Sequence, residues 1–207
     1  MAEVKICGLW RPEDIQAANE AEPDYIGFVF AESRRKVTPE QAARLKALLS
    51  PGIRAVGVFV NAPVCEIAGI VKSGTIDLVQ LHGNEDENDI RSLRQLVTVP
   101  VIRAVRVRTA EDILAADSLP CDYLLLDTYI AGSYGGSGSQ FDWSLIPPLS
   151  HPFFLAGGLC MRNLRDAVQT GALCLDLSSA AETGGVKDPE KIKKIVRLIR
   201  SINDVKR

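Results

Sequence analysis

Several features that would point to a metal, a membrane or a nucleic acid are missing from this chain. Its five cysteines, Cys7, Cys65, Cys121, Cys160 and Cys174, are odd in number and scattered, and none forms a CxxC pair. With only two histidines beside them, they make neither a disulfide framework nor a plausible zinc set. There is no basic excess: 24 Lys and Arg stand against 26 Asp and Glu, for a net charge of −2, so a nucleic-acid partner is not expected. No apolar run approaches the roughly 18 residues of a membrane span. Met1-Ala2-Glu3 leads directly into an apolar strand, so no secretory signal is expected. A cytoplasmic protein with reduced thiols follows as the expectation. No linker or low-complexity tract divides the 207 residues, and one domain spanning 1–207 is expected.

What the chain does have is alternation. Short apolar runs at Val4–Cys7, Tyr25–Phe30, Arg54–Val60, Asp77–Leu81, Pro100–Val107, Tyr123–Asp127, Phe153–Ala156 and Leu173–Leu177 read as buried strands. Helix-period segments separate them. Thr38-Pro39-Glu40-Gln41 reads as a capping box, with Thr38 as N-cap and Gln41 reaching back. Glu85-Asp86-Glu87 suits the positive end of a helix, and Thr109 with Asp112 opens another. A short helical piece is expected around Trp143–Ile146, and the last helix carries the stripe Ile192, Ile195, Val196, Ile199 and Ile202. Eight strand–helix repeats predict an α/β fold, a single small (β/α)8 TIM barrel. A doubly wound open sheet is the rival, but it usually spreads fewer strands over this length, and no GxGxxG follows the first strand.

In such a barrel the C-terminal strand ends form the active rim. The polar residues there are Cys7, Gln80, His82, Arg103, Asp127, Asp176, Ser178 and Ser179. Alternation places Lys5 with Cys7 on one face, Gln80 with His82, Leu125 with Asp127, and Asp176 with Ser178. Cys7 reads either as a small apolar filler or as a proton donor, since an ordinary thiol with pKa about 8.5 is protonated at neutral pH. Asp127 reads as a loop cap or as a base, and its place after three leucines favours the base. Gly157-Gly158 after the seventh strand and Ser178-Ser179 after the eighth suggest a phosphate site. Tyr134-Gly135-Gly136-Ser137-Gly138 reads as a floppy connection or as a lid. Ser33-Arg34-Arg35-Lys36 is a solvated turn or supplies an arginine for a substrate carboxylate. His82 is a structural histidine or a ligand contact.

These motifs together resemble one family, the phosphoribosylanthranilate isomerases of tryptophan biosynthesis. The resemblance runs nearly the whole chain through KICG (Lys5–Gly8), GFVF (Gly27–Phe30) with SRRKVTPE behind it, and VGVFVN (Val56–Asn61). It continues through VQLHG (Val79–Gly83), LLLD (Leu124–Asp127), YGGSG with FDW (Phe141–Trp143), AGGL (Ala156–Leu159), and DLSS with GVKD (Gly185–Asp188). It implies a cofactor-free, metal-free Amadori rearrangement of a small sugar phosphate, in a monomer or homodimer. Cys7 would be the general acid and Asp127 the general base. Arg35 would face the anthranilate carboxylate, His82 the substrate, and Asp176 the amine side. Gly157, Gly158, Ser178 and Ser179 would hold the phosphate. The chain departs from the family pattern at Ala180-Ala181, where the family usually reads Gly-Val, at Ala156 before the glycine pair, and at Lys36 in place of an aromatic. Ala180 would restrict backbone approach if its position required a positive φ. A histidine-pathway isomerase of the same fold would carry aspartate where this chain has Cys7. A non-catalytic sugar-phosphate sensor would need neither Cys7 nor Asp127.

Overall fold

The computed structural model describes residues 1–128 and 140–205. Eight parallel strands alternate with helices: β1 (Glu3–Cys7), α1 (Pro12–Ala21), β2 (Tyr25–Val29), α2 (Pro39–Lys46), β3 (Arg54–Phe59), α3 (Val64–Lys72), β4 (Leu78–Leu81) and α4 (Glu87–Leu96) come first. They are followed by β5 (Val101–Val107), α5 (Ala110–Asp117), β6 (Tyr123–Thr128), β7 (Phe153–Leu155), α6 (Leu164–Gln169), β8 (Cys174–Leu177) and α7 (Pro189–Val205). Lys5 pairs with Tyr25 on one side and with Asp176 on the other, so β1 joins β2 to β8 and the sheet closes on itself. That closure rules out the open doubly wound sheet. Among the described residues the sixth repeat carries only a short 3-10 turn, Trp143–Leu145, where the sequence predicts a short helical piece.

Strand alternation sorts the core into two shells. Tyr25, Val56, Leu78, Ile102, Leu125 and Phe154 fill the barrel interior. Ile6, Ile26, Phe59, Leu124, Leu126 and Leu175 point outward and meet the apolar faces of the helices. The α7 stripe Ile192, Ile195, Val196, Ile199 and Ile202 is buried along its whole length. Burial on both faces explains why the strands read as continuous apolar runs.

Local signals hold with two adjustments. Thr38 caps α2 by accepting from the Gln41 N–H at 3.2 Å, but the Gln41 side chain does not reach back; it donates to the Trp10 carbonyl at 2.9 Å and ties α2 to the loop after β1. Asp86 caps α4, while its neighbour Glu85 is buried and accepts from Asn61 N and Gly83 N at 2.7 and 2.8 Å. Thr109 and Asp112 open α5 as expected, and Asp112 accepts from the Thr109 N–H at 3.1 Å. Among the described residues no helix is long and apolar enough to cross a membrane.

Candidate active site

Strand ends around the barrel bring the functional side chains to the C-terminal rim. Cys7 ends β1 with its thiol toward the barrel axis, level with Gly27 on β2. A Cβ at Gly27 would lie 2.6 Å from the sulfur, so the missing side chain is the space that the thiol occupies. Burial pushes the Cys7 thiol above its ordinary pKa; Lys5 pulls against it, Asp176 adds to it, and Lys187 opposes it. The net effect keeps the sulfur protonated at neutral pH.

Asp127 lies on β6, across the ring of strands, and is buried. Its Oδ1 accepts from Thr128 N at 2.8 Å, and its Oδ2 is 3.2 Å from His82 Nε2. Gly157 makes this position possible. Its φ is +78°, and a Cβ there would fall 2.6 Å from Thr128 N and 2.7 Å from Asp127 Oδ1.

Below this level Lys5 is fully buried inside the barrel. Its ammonium donates to Asp176 Oδ2 at 2.7 Å and Gln80 Oε1 at 2.8 Å. Burial alone would lower its pKa, but the charge of Asp176 outweighs that and raises it, so Lys5 stays charged. Asp176 Oδ1 is also buried and has no hydrogen-bond partner among the described residues. It leaves an acceptor at the cavity wall.

In the segment after β8, beside Cys7, Glu182 gathers three cations. Arg35 donates Nε to Glu182 Oε1 at 2.7 Å and Nη2 to Oε2 at 3.0 Å, and Arg34 donates to Oε2 at 2.6 Å. Lys187 donates to Glu182 Oε1 at 2.8 Å and to the Ser178 carbonyl at 3.0 Å. Ser178 Oγ in turn donates to the Cys7 carbonyl at 3.0 Å. Lys36 turns away and pairs with Glu32.

Nine of the residues singled out from sequence line one cavity: Cys7, Arg35, His82, Asp127, Gly157, Gly158, Asp176, Ser178 and Ser179. Val29, Val58 and Leu159 supply its apolar wall. His82 is a qualified case. It reaches the cavity, but both ring nitrogens are engaged, Nδ1 by Gln80 at 2.8 Å and Nε2 by Asp127. Arg103 is a correction. It points outward rather than into the rim, and donates to the carbonyls of Leu81, Ala104 and Gly83. Ala180 lies in the 3-10 turn Ser179–Ala181, outside the positive-φ region, so alanine fits there without backbone strain. The expected lid, Tyr134–Gly138, lies outside the described residues. Sequence reading gave no role to Lys5, Glu182 or Lys187; a lysine facing inward from the apolar run Val4-Lys5-Ile6 was the available signal. No group of three His, Cys, Asp or Glu among the described residues could hold a metal ion.

The family model described as N-(5'-phosphoribosyl)anthranilate (PRA) isomerase matches residues 4–198. The chain belongs to that family. It is therefore an isomerase. An N-(5'-phosphoribosyl)anthranilate isomerase of Endomicrobium trichonymphae is 47% identical, with 98% of this chain and 100% of the relative covered. Among solved members of the family, the Thermotoga maritima phosphoribosyl anthranilate isomerase superposes with a TM-score of 0.85 at 34% identity, covering 97% of this chain and 100% of the other. A further solved member is in complex with reduced 1-(o-carboxyphenylamino)-1-deoxyribulose 5-phosphate; its TM-score is 0.81 at 32% identity, with 97% and 100% coverage.

Proposed function

We propose that this chain, acting as one catalytic domain without a cofactor, converts N-(5-phosphoribosyl)anthranilate to 1-(2-carboxyphenylamino)-1-deoxyribulose 5-phosphate in tryptophan biosynthesis. The observation that carries the reading is the pairing of Cys7 and Asp127 on opposite sides of one cavity, with the thiol held protonated by burial. The Cys7 S–H gives its proton to the furanose ring oxygen. The C1–O bond breaks, and the anilino nitrogen lone pair forms a C1=N iminium. That cation acidifies the C2 hydrogen, which Asp127 removes; the C–H electrons become the C1=C2 bond of an enolamine. Protonation at C1 and loss of the C2 hydroxyl proton give the ketone, an isomer of the substrate, and both side chains return to their starting states.

The remaining cavity residues fit this substrate. Arg35 meets the anthranilate carboxylate, as a guanidinium suits a planar anion. The unpartnered Asp176 Oδ1 accepts from the anilino N–H. The backbone around Gly157, Gly158, Ser178 and Ser179 receives the phosphate, at the place where loops after the seventh and eighth strands hold phosphate in many barrels. The ligand carried by the solved relative combines a carboxyphenylamino group with a sugar phosphate, which supports this division of the cavity.

The test is loss of substrate fluorescence with freshly made phosphoribosylanthranilate. Cys7→Ser and Asp127→Asn should each slow turnover by ~10²–10⁴-fold, the usual contribution of a general acid or base. Wild-type rates in both variants would end this assignment.

A further inference from the structure

An unbroken hydrogen-bonded line runs beneath the cavity from Asp176 to Asp127. Asp176 Oδ2 accepts from Lys5 Nζ at 2.7 Å, and Lys5 Nζ also donates to Gln80 Oε1 at 2.8 Å. Gln80 Nε2 is 2.8 Å from His82 Nδ1, and His82 Nε2 is 3.2 Å from Asp127 Oδ2. Lys5 and Gln80 are 0% and 1% exposed, so solvent does not compete for these bonds.

One distribution of protons satisfies every link. An ammonium has three donors and no acceptor, so the Gln80 atom facing Lys5 is its carbonyl oxygen. The lysine thus fixes the orientation of the amide. The Gln80 NH₂ group therefore faces His82 and donates to Nδ1. That nitrogen is then the bare one, and the ring proton sits on Nε2, where it points at Asp127.

We propose that Gln80, held in place by Lys5, is a positioning residue that locks His82 in the Nε2–H tautomer, and that His82 thereby acts as a fixed hydrogen-bond donor to Asp127. This rests on the reading of Asp127 as the base and extends it. His82 tethers one carboxylate oxygen and Thr128 N the other, and the remaining lone pairs stay directed at the substrate. The opposite tautomer would set an Nε2 lone pair against the carboxylate and release that tether. Lys5 stands two residues before Cys7 on the same inward face, so one buried ammonium orders the chain to the base and lies beside the acid.

The experiment combines histidine ¹⁵N NMR with steady-state kinetics on wild type, Gln80→Leu and Gln80→Glu. The wild-type spectrum should show His82 with the proton on Nε2 alone. Gln80→Leu removes the donor and should release a mixture of tautomers. Gln80→Glu keeps an acceptor for Lys5 and guards against misfolding in the first variant; its carboxylate offers Nδ1 only acceptor oxygens, so Nδ1 should gain a proton, and the resulting imidazolium still donates to Asp127 but makes it a weaker base through its positive charge. In both variants kcat should fall roughly 10–100-fold with KM little changed, the range for losing a partner that orients an active group. A wild-type ring protonated on Nδ1, or both variants turning over within about twofold of wild type, would overturn the proposal. Asp127→Asn measured alongside keeps the two readings apart: full turnover in that variant removes the base itself, whatever tautomer the spectra show.

Discussion

Glu182 grips Arg35 at two points, Nε at 2.7 Å and Nη2 at 3.0 Å, and so sets the direction in which the guanidinium leaves the loop after β2. The carboxylate belongs to the segment after β8, so two rim loops at the β1 junction are bound together beside Cys7.

Glu182→Gln should raise KM by roughly tenfold with a smaller effect on kcat, because a charge-assisted pair contributes about 1.5–3 kcal/mol to holding Arg35. The buried Lys187 also loses its counter-charge, and denaturant unfolding should show a loss of about 3–5 kcal/mol. Burial pushes the Glu182 carboxyl up, but the bonds from Arg35 and Lys187 outweigh it and hold the carboxyl below its ordinary value. Its stabilisation is thus full above the unfolded value of about 4.3 and disappears as pH falls through the lower folded value. A variant with wild-type KM and stability would show that this grip is idle.

The thiol sets a second expectation. A general acid works only while protonated, and the Cys7 pKa is raised by burial, against the pull of Lys5. The alkaline limb of kcat/KM should therefore lie above the ordinary thiol value of about 8.5, with activity present below the limb and lost as pH rises through it. A limb below that value would mean that another group titrates.

Gly157→Ala should damage catalysis by displacement. The new Cβ would press on Thr128 N and Asp127 Oδ1 at 2.6 and 2.7 Å, in a backbone held at φ +78°. The left-handed conformation costs about 1–2 kcal/mol for a side chain. A shift of about 1 Å in a reacting group can cost about 10²-fold. The measurement is kcat beside thermal stability. A stable variant with unchanged kcat would show that Asp127 tolerates the movement.

At the opposite rim, Asp117 ends α5 and gathers the turn before β7. It accepts from Ser150 N at 2.8 Å, His151 N at 3.0 Å, Ser150 Oγ at 2.9 Å and His151 Nδ1 at 2.9 Å. Burial would raise its carboxyl, but these bonds outweigh it and bring the pKa down to about 2. Asp117→Asn should lower stability by about 1–3 kcal/mol at neutral pH and leave kcat/KM intact. The difference from wild type should shrink as pH falls from about 3.9, the unfolded value, toward the folded one. An equal loss of stability at every pH would rule out the charge as its source.

Local chemistry was legible wherever it acts along the chain. The acidic start of α4 at Asp86, the opening of α5 at Thr109 and Asp112, and the stripe of α7 follow from spacing alone, because their partners sit within a turn or two. Gln41 was misjudged because the partner of its side chain, the Trp10 carbonyl, lies 31 residues away in sequence and is brought near only by the fold. Arg103 looked like a rim residue until the strand phase put Ala104 inside and the guanidinium against outward carbonyls.

The order of apolar runs and the residues that close them determined an eight-repeat barrel with Cys7 and Asp127 at strand ends, because strand periodicity assigns each side chain to a face without reference to the rest of the molecule. Only the closed tertiary structure decided how those residues are connected. Lys5 finds Gln80 and Asp176, and Glu182 finds Arg35 and Lys187. The first set meets 75 and 171 residues apart along the chain: the register of β1 on β8 puts Lys5 level with Asp176, and closure of the barrel brings Gln80 of β4 to it from across the interior, which no local pattern encodes.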